Sequence, residues 1–334
     1  MINRREVKFM FKANDNRYDN MVYRRCGKSG LKLSAISLGL WKNFGAKDDF
    51  KNMEEMIHTA FNLGIVHFDL ANNYGDPDIG SAEINFGRIL DNGMKSYRDE
   101  ICISTKAGYD MWPGPYGERN GSRKYLISSL DQSLKRMNLD YVDIFYHHLP
   151  DPNTSIEETA VALDDIVKQG KALYVGVSNY NKFQQAEIMK IFRELHTPFI
   201  VNQPSYSLLN RWVEEDGLDT FSEENGIGLA VFSPLSNGLL TDKYLNGPVD
   251  GARVPGSIVD ESMISRLGKL NDMAKSRGQS LSQMALSWIL FNSSVATVIT
   301  GASRPEQITE NVKCLENLDF TYEEIKQIDD ILKS

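Results

Sequence analysis

Eight short apolar runs, each followed by a helical pattern, predict an α/β fold: a (β/α)8 TIM barrel with an N-terminal hairpin before it and a long loop after strand seven. Three observations carry this expectation. The runs do not alternate polar with apolar residues, as expected of strands buried on both faces of a parallel sheet. Eight is the number of strands that closes such a barrel. No Gly-x-Gly-x-x-Gly follows the first run, which argues against a Rossmann dinucleotide domain. An open doubly wound sheet shares the same alternation and stands as the alternative.

Residues 1–20 are polar and weakly periodic and read as an arm laid on the body. Between Tyr23 and Leu33, Gly27 and Gly30 punctuate short alternating runs, which predicts a hairpin serving as a lid or plug. Ile36–Leu40 is the first run, and its helix aligns Met53, Met56, Ile57, Ala60 and Leu63 before Gly64 stops it. The second run, Val66–Leu70, leads to a helix over Ala82–Leu90. The third, Ile101–Thr105, ends in Lys106; a long loop precedes a helix facing inward through Ile127, Leu130, Leu134 and Met137. After the fourth run, Tyr141–His148, the stretch Ser155-Ile156-Glu157-Glu158 predicts a capping box, and Gly170 closes the helix.

Leu173–Val177 is the fifth run, followed by a helix carrying Phe183, Ala186, Met189 and Leu195. The sixth, Pro198–Val201, leads to a weaker helix at Leu218–Asn225, and the seventh is Leu229–Phe232. Residues 236–262 have no period and hold Gly247, Pro248, Gly251, Pro255 and Gly256, so a long functional loop is expected there. Helical patterns at Leu267–Lys275 and Ser282–Phe291 precede the eighth run, Thr297–Thr300. Pro305 then opens a helix through Ile308, Val312 and Leu315, and Thr321-Tyr322-Glu323-Glu324 caps the last one.

The chain of 334 residues is 41% hydrophobic and 25% charged, the composition of a globular protein able to bury a full core, and it is read as a single domain, 1–334. Its net charge of −8 has the wrong sign for neutralising a phosphate backbone, so nucleic acid is not an expected partner. No segment approaches the roughly 18 apolar residues that a spanning helix needs, and Met1-Ile2-Asn3-Arg4-Arg5 is followed by no apolar signal region. A cytoplasmic protein without a membrane partner is expected, with a homo-oligomer left open. Cys26, Cys102 and Cys314 are far apart and lack metal spacing, which suits buried free thiols.

In a barrel of this kind chemistry sits at the carboxyl ends of the strands. Asp69 ends the second strand, Lys106 the third and His148 the fourth. A lysine there is costly unless paired, and Asp69 is its natural partner. Tyr74, in the loop after Asp69, can meet the same ammonium, which would lower its pKa and make it an acid–base group. The competing reading is a structural Asp69–Lys106 ion pair with Tyr74 as a bystander. His147 and His148 point to opposite sides of a strand, so they make no metal pair, and the ligand pattern of a metal-dependent hydrolase is missing. His67, His58 and His196 are read as structural. Gly301-Ala302-Ser303-Arg304-Pro305-Glu306-Gln307 leads the eighth strand into a helix whose first amides, with Arg304, can hold a phosphate; a Pro-initiated helix with a surface arginine is the plain alternative.

The stretches His67–Gly75, Ser104–Pro115 and Gly301–Asn311 together resemble the aldo-keto reductases, across essentially the whole chain, and among them a bacterial branch related to potassium-channel beta subunits. The resemblance implies a tetrad of Asp69, Tyr74, Lys106 and His148, with Tyr74 protonating a carbonyl oxygen, Lys106 tuned by Asp69, and His148 orienting the carbonyl. It implies NADP(H) as cofactor, held by Trp41, Asp69, Ser178, Asn179, Gln203 and Phe232 near the nicotinamide. Ser233, Pro234, Leu235, Ser236, Gly238 and Lys243 would follow the pyrophosphate; Arg253, Gly301, Ser303, Arg304, Gln307, Glu310 and Asn311 would surround the adenosine end. Residues 236–262 would form a belt over it.

Trp41, Tyr74, Trp112 and His148 would meet the substrate, with Pro113 and Tyr116 beside them, and the implied activity is reduction of small aldehydes such as glyceraldehyde 3-phosphate, glyceraldehyde or methylglyoxal. Gln307 stands where many members carry Lys or Arg, so an NADP preference rests mainly on Arg304. Channel beta subunits tend to have Asn and Arg where this chain has His148 and Leu149, so an enzyme is expected over the alternative, a cofactor-binding regulatory or redox-sensor subunit. Arg119, Arg123 and Lys124 are read as a solvated helix start in preference to a phosphate site.

Overall fold

The computed structural model describes residues 11–249, 251 and 253–333. A two-stranded antiparallel hairpin, β1 (Tyr23–Arg25) and β2 (Lys32–Ser34), precedes the main sheet. Eight parallel strands follow: β3 (Ile36–Gly39), β4 (His67–Asp69), β5 (Cys102–Ala107), β6 (Val142–His147), β7 (Ala172–Ser178), β8 (Phe199–Gln203), β9 (Gly228–Val231) and β10 (Val295–Thr300). Each pairs with the next along the chain, and β10 pairs back onto β3, so the barrel is closed. Every residue of β5, β6 and β10 is buried, which accounts for the unbroken apolar runs. The open-sheet alternative is excluded by the β10–β3 pairing.

Helices form the outer ring: α1 (Phe50–Asn62), α2 (Ser81–Ile89), α3 (Arg123–Met137), α4 (Ile156–Lys168), α5 (Lys182–Leu195), the short α6 (Trp212–Glu215), α7 (Leu218–Asn225), α8 (Glu261–Ser276), α9 (Leu281–Phe291), α10 (Pro305–Val312) and α11 (Tyr322–Lys333). Some boundaries differ from the sequence reading for local reasons. Past α2 the backbone widens through Leu90–Met94, where Gly93 takes φ 130°, and tightens again over Lys95–Glu100. Asp260 caps α8 by accepting from the Met263 amide at 2.8 Å, so that helix starts before the first periodic apolar residue. The last turn expected of α10 is a 3-10 turn, Lys313–Glu316.

The box expected at Ser155 is half formed. Its hydroxyl accepts from the Glu158 amide at 3.2 Å, but the Glu158 carboxylate accepts from the Arg123 amide at 3.0 Å instead of reaching back. The Thr321–Glu324 box is complete, and α5 and α9 carry full boxes on Asn181/Gln184 and Ser280/Gln283 that the sequence reading passed over.

The hairpin is a plug. Cys26 and Leu33 are fully buried in one cluster with Ile144, Tyr146, Ala230 and Ala296, and the Lys28 amide donates to the Gly226 carbonyl at 2.9 Å, just ahead of β9. Gly27 has φ 58°, and a Cβ there would lie 2.1 Å from the Gly226 oxygen, so only glycine permits the approach. The plug therefore closes the amino-end of the barrel and leaves the carboxyl-end open. Of the expected arm, residues 1–10 lie outside the described residues; Phe11 stacks on His58 at 3.8 Å, and Arg17 and Tyr18 both meet the Glu100 carboxylate.

The loop over 236–262 holds three 3-10 turns, Ser236–Gly238, Asp242–Tyr244 and Gly256–Ile258, with positions 250 and 252 outside the described residues. Tyr244 and Val254 anchor it in the core. All three cysteines are buried free thiols. Among the described residues no helix is long and apolar enough to cross a membrane.

Candidate active site

The period of two along β4 and β5 puts His67 with Asp69, and Ser104 with Lys106, on the same faces of neighbouring strands, and the register sets Asp69 opposite Ser104. The Lys106 ammonium is fully buried. It donates to Asp69 Oδ2 at 2.6 Å, to the Leu70 carbonyl at 2.6 Å and to Tyr74 Oη at 3.3 Å, so its three hydrogens have three acceptors. Asp69 Oδ1 accepts from Ser104 Oγ at 2.7 Å and Gln203 Nε2 at 3.1 Å. Because Lys106 donates to Tyr74, the phenol keeps its own hydrogen free to give away.

The electrostatics of Tyr74 run opposite to the sequence expectation. Burial comes first and the Asp69 charge second, and both push the phenol well above its usual 10. Asp69, 2.6 Å from the ammonium, cancels the field that would have favoured phenolate. Tyr74 is therefore a neutral phenol, able to donate a proton. Burial also lowers Lys106, against the opposing pull of Asp69.

His148 follows β6 at the mouth. Its ring lies 6.0 Å from that of Tyr74 and edge-on to Tyr109 at 4.6 Å, and its Nδ1 is buried without a partner. Burial, then the Lys106 charge, hold it well below 6.5, so it is a neutral imidazole. His147 faces away, with Nδ1 2.7 Å from Tyr180 Oη. His67 is fully buried in the interior, between Ser37 and Ser104.

The other expected residues lie at the carboxyl ends of β7 and β8 and in the segments that follow β9 and β10. Ser178 Oγ donates to the Gln203 carbonyl at 2.8 Å, and Asn179, at φ 61°, donates to the His148 carbonyl at 3.0 Å. Half-buried Phe232 is fixed by a bridge to Ser205, and Ser233 and Ser236 turn the chain with φ of 55° and 48° around buried Pro234 and half-buried Leu235 and Gly238. Lys243 lies over the Tyr244 ring at 5.6 Å, and Arg253 is exposed.

In the last loop exposed Gly301 is followed by Ala302 and Ser303, whose carbonyls accept from Asn43 at 2.8 Å and Asn52 at 2.9 Å. Gln307 Oε1 accepts from the Ser303 amide at 2.7 Å, Arg304 sits 3.7 Å from Glu306, and Glu310 is engaged by Lys313 at 2.6 Å beside buried Asn311.

Trp41 is 49% exposed with its ring 6.4 Å from Tyr74. Trp112 packs on Tyr125 at 5.5 Å. Arg123 pairs with Asp165 and Lys124 lies over the Tyr116 ring at 4.9 Å, which fits the reading of these cations as a surface helix start. The sequence reading missed the Leu70 carbonyl, Tyr109 and Ser104. Only Ser104 had a signal, its spacing of two residues from Lys106.

The sequence profile of the aldo/keto reductase family matches residues 35–333. Escherichia coli (strain K12) L-glyceraldehyde 3-phosphate reductase is 55% identical over 327 residues, covering 95% of this chain and 94% of that protein. A putative voltage-gated potassium channel subunit beta of Schizosaccharomyces pombe is 35% identical over 327 residues, 94% of each chain. A probable subunit of the same description from Arabidopsis thaliana is 35% identical over 309 residues, 89% of this chain and 92% of that one.

Proposed function

The chain belongs to the aldo/keto reductase family, and from that premise we propose that it reduces small aldehydes, glyceraldehyde 3-phosphate among them, with NADPH and with Tyr74 as the proton donor. It is an oxidoreductase acting on aldehydes, and enzymes of this family use nicotinamide cofactors. The observation that carries the proposal is the saturated Lys106 ammonium. It gives one hydrogen to Tyr74 Oη, so the phenol's own hydrogen is not needed for Lys106 and can serve an incoming oxygen.

The residues present fit the cofactor. Arg304 caps α10 without offering a side-chain acceptor to the first turn. Pro305 has no amide hydrogen and the Gln307 amide donates to the Arg304 carbonyl at 3.2 Å, so it is the Glu306 amide, with the Arg304 guanidinium nearby, that would meet an anion. Ser178, Asn179, Gln203 and Phe232 would hold the nicotinamide end; Ser233 to Gly238 with Lys243 the pyrophosphate; Arg253, Ser303, Arg304, Gln307, Glu310 and Asn311 the adenosine end. When bound, the cofactor supplies the hydride.

Tyr74 donates its proton to the carbonyl oxygen as negative charge develops there. Lys106 then stabilises the resulting phenolate through the bond it already makes, and Asp69 holds Lys106 charged in a buried place. Neutral His148 orients the carbonyl beside Tyr74, and Trp41 and Trp112 exclude water. The whole chain, 1–334, acts as one barrel unit.

Tyr74→Phe tests the mechanism. Loss of turnover by a factor of about 100 or more with NADPH binding retained is expected, and turnover near wild type would overturn it. Sustained NADPH oxidation with glyceraldehyde 3-phosphate separates the enzyme from a regulatory subunit that binds cofactor without cycling.

A further inference from the structure

We propose that His67 is a positioning residue for the reduction, which together with Ser104 holds the Asp69 carboxylate in the orientation that faces Lys106. The inference rests on the function proposed above and assigns a role to a residue that would otherwise be core filling. Four fully buried polar side chains form one line through the barrel interior. Thr297 Oγ1 is 2.5 Å from Ser37 Oγ, Ser37 Oγ is 2.9 Å from His67 Nδ1, and His67 Nε2 is 2.9 Å from Ser104 Oγ. Ser104 Oγ is 2.7 Å from Asp69 Oδ1.

The hydrogens along this line have one consistent placement. A carboxylate only accepts, so Ser104 must donate to Asp69. Its oxygen then accepts from His67, which makes His67 the Nε2–H tautomer with a bare Nδ1. Ser37 must therefore donate to Nδ1, and its oxygen accepts from Thr297. Thr297 also reaches the Ala35 carbonyl, but at 3.5 Å against 2.5 Å to Ser37 that is much the weaker contact for its hydrogen. Every donor thus points toward Asp69. A positive charge on His67 would put a second donor against Ser37, and burial keeps the ring neutral, with its pKa lowered to about 4.

Asp69 Oδ1 has a second donor in Gln203, but at 3.1 Å it is the longer contact. Ser104 fixes the rotation of the carboxylate, and His67 fixes the rotation of Ser104. That rotation sets how Oδ2 meets Lys106, and so how Lys106 meets Tyr74. An apolar residue would fill the volume of His67, but it would let the Ser104 hydroxyl turn.

The first test is the tautomer itself, read by nitrogen NMR of histidine-labelled protein, with the signal assigned from His67→Gln. A neutral Nε2–H ring, unchanged between pH 6 and 9, is expected; an Nδ1–H or cationic ring overturns the proposal. This readout does not depend on turnover, so it stands even if the reductase reading fails in the Tyr74→Phe test.

The second test is kinetic. Ser104→Ala should lower kcat by about 10- to 100-fold, the value of a hydrogen bond to a charged acceptor, while the aldehyde KM moves less than about 3-fold. Ser104→Thr should restore most of it. His67→Gln, which keeps a donor near the Nε2 position, should retain kcat within about 3-fold of wild type, and His67→Leu should lose about tenfold or more. Wild-type kcat in Ser104→Ala, or equal losses in the Gln and Leu variants, would mean that the line only fills space. Ser104→Ala also decides the matter if His67→Leu does not fold.

Discussion

Replacing Asp69 by Asn and Lys106 by Met, singly and together, separates the energetic from the catalytic role of the central ion pair. The two charged groups are 2.6 Å apart, with side-chain exposures of 0% for Lys106 and 3% for Asp69. Removing one partner of such a pair costs about 3–5 kcal/mol, because the other charge is left buried. Asp69→Asn adds a hydrogen-bond conflict: Ser104, Gln203 and Lys106 all donate to the carboxylate, and an amide nitrogen must face at least one of them. An unmet buried donor is worth a further ~1–3 kcal/mol.

At about 2–4 °C per kcal/mol, either single substitution lowers Tm by on the order of 10 °C in a calorimetric scan. The double variant has no buried charge to strand, so most of that loss should return. Turnover should stay low in all three: Lys106→Met and the double variant lack the ammonium that stabilises the Tyr74 phenolate, and in Asp69→Asn the buried Lys106 has lost the carboxylate that keeps it charged. A double variant whose Tm loss equals the sum of the singles would show that the pair is not coupled, and recovered turnover would refute the role given to Lys106.

Further outcomes follow from the same geometry. His148→Phe keeps a ring against Tyr109 but removes the polar nitrogen, so kcat for aldehyde reduction in steady-state assay should fall by about 10- to 100-fold with little change in Tm. Arg304→Ala should raise KM for NADPH about tenfold and leave that for NADH nearly unchanged, the difference shrinking as salt is added. His67 and His147 are both buried with pKa lowered to about 4, so the unfolded chain takes up protons near 6.5 before the folded one does. Their contribution is present above pH 6.5 and lost as pH falls toward 4. Denaturant titrations should show stability declining across that window, by up to about 3 kcal/mol for each histidine.

The strands were legible because burial on both faces leaves an apolar run that needs no partner to be recognised, and Asp69, Lys106 and His148 were legible because each ends such a run. The turn at Leu90–Met94 was not, since Gly93 acts there through a backbone angle and not through hydrophobic spacing. Nor was the third acceptor on Lys106, a Leu70 carbonyl that no side-chain pattern reports. The pKa of Tyr74 was misjudged in direction because a sequence shows which charges lie near the phenol but not that Asp69 cancels Lys106 or how far the pair is removed from water. The sequence places His67 in the core, as the structure does, but its place in a line of donors depends on Ser37 and Thr297, which β3 and β10 bring to it only in the closed barrel.

The glycine contact that seats the hairpin against Gly226 has a practical side. It commits one end of the molecule to holding the sheet shut and leaves the other to meet reactants. A resin or electrode attached near the hairpin would present every mouth to solution, and an immobilised catalyst oriented this way should keep its selectivity while gaining resistance to unravelling from the tethered end.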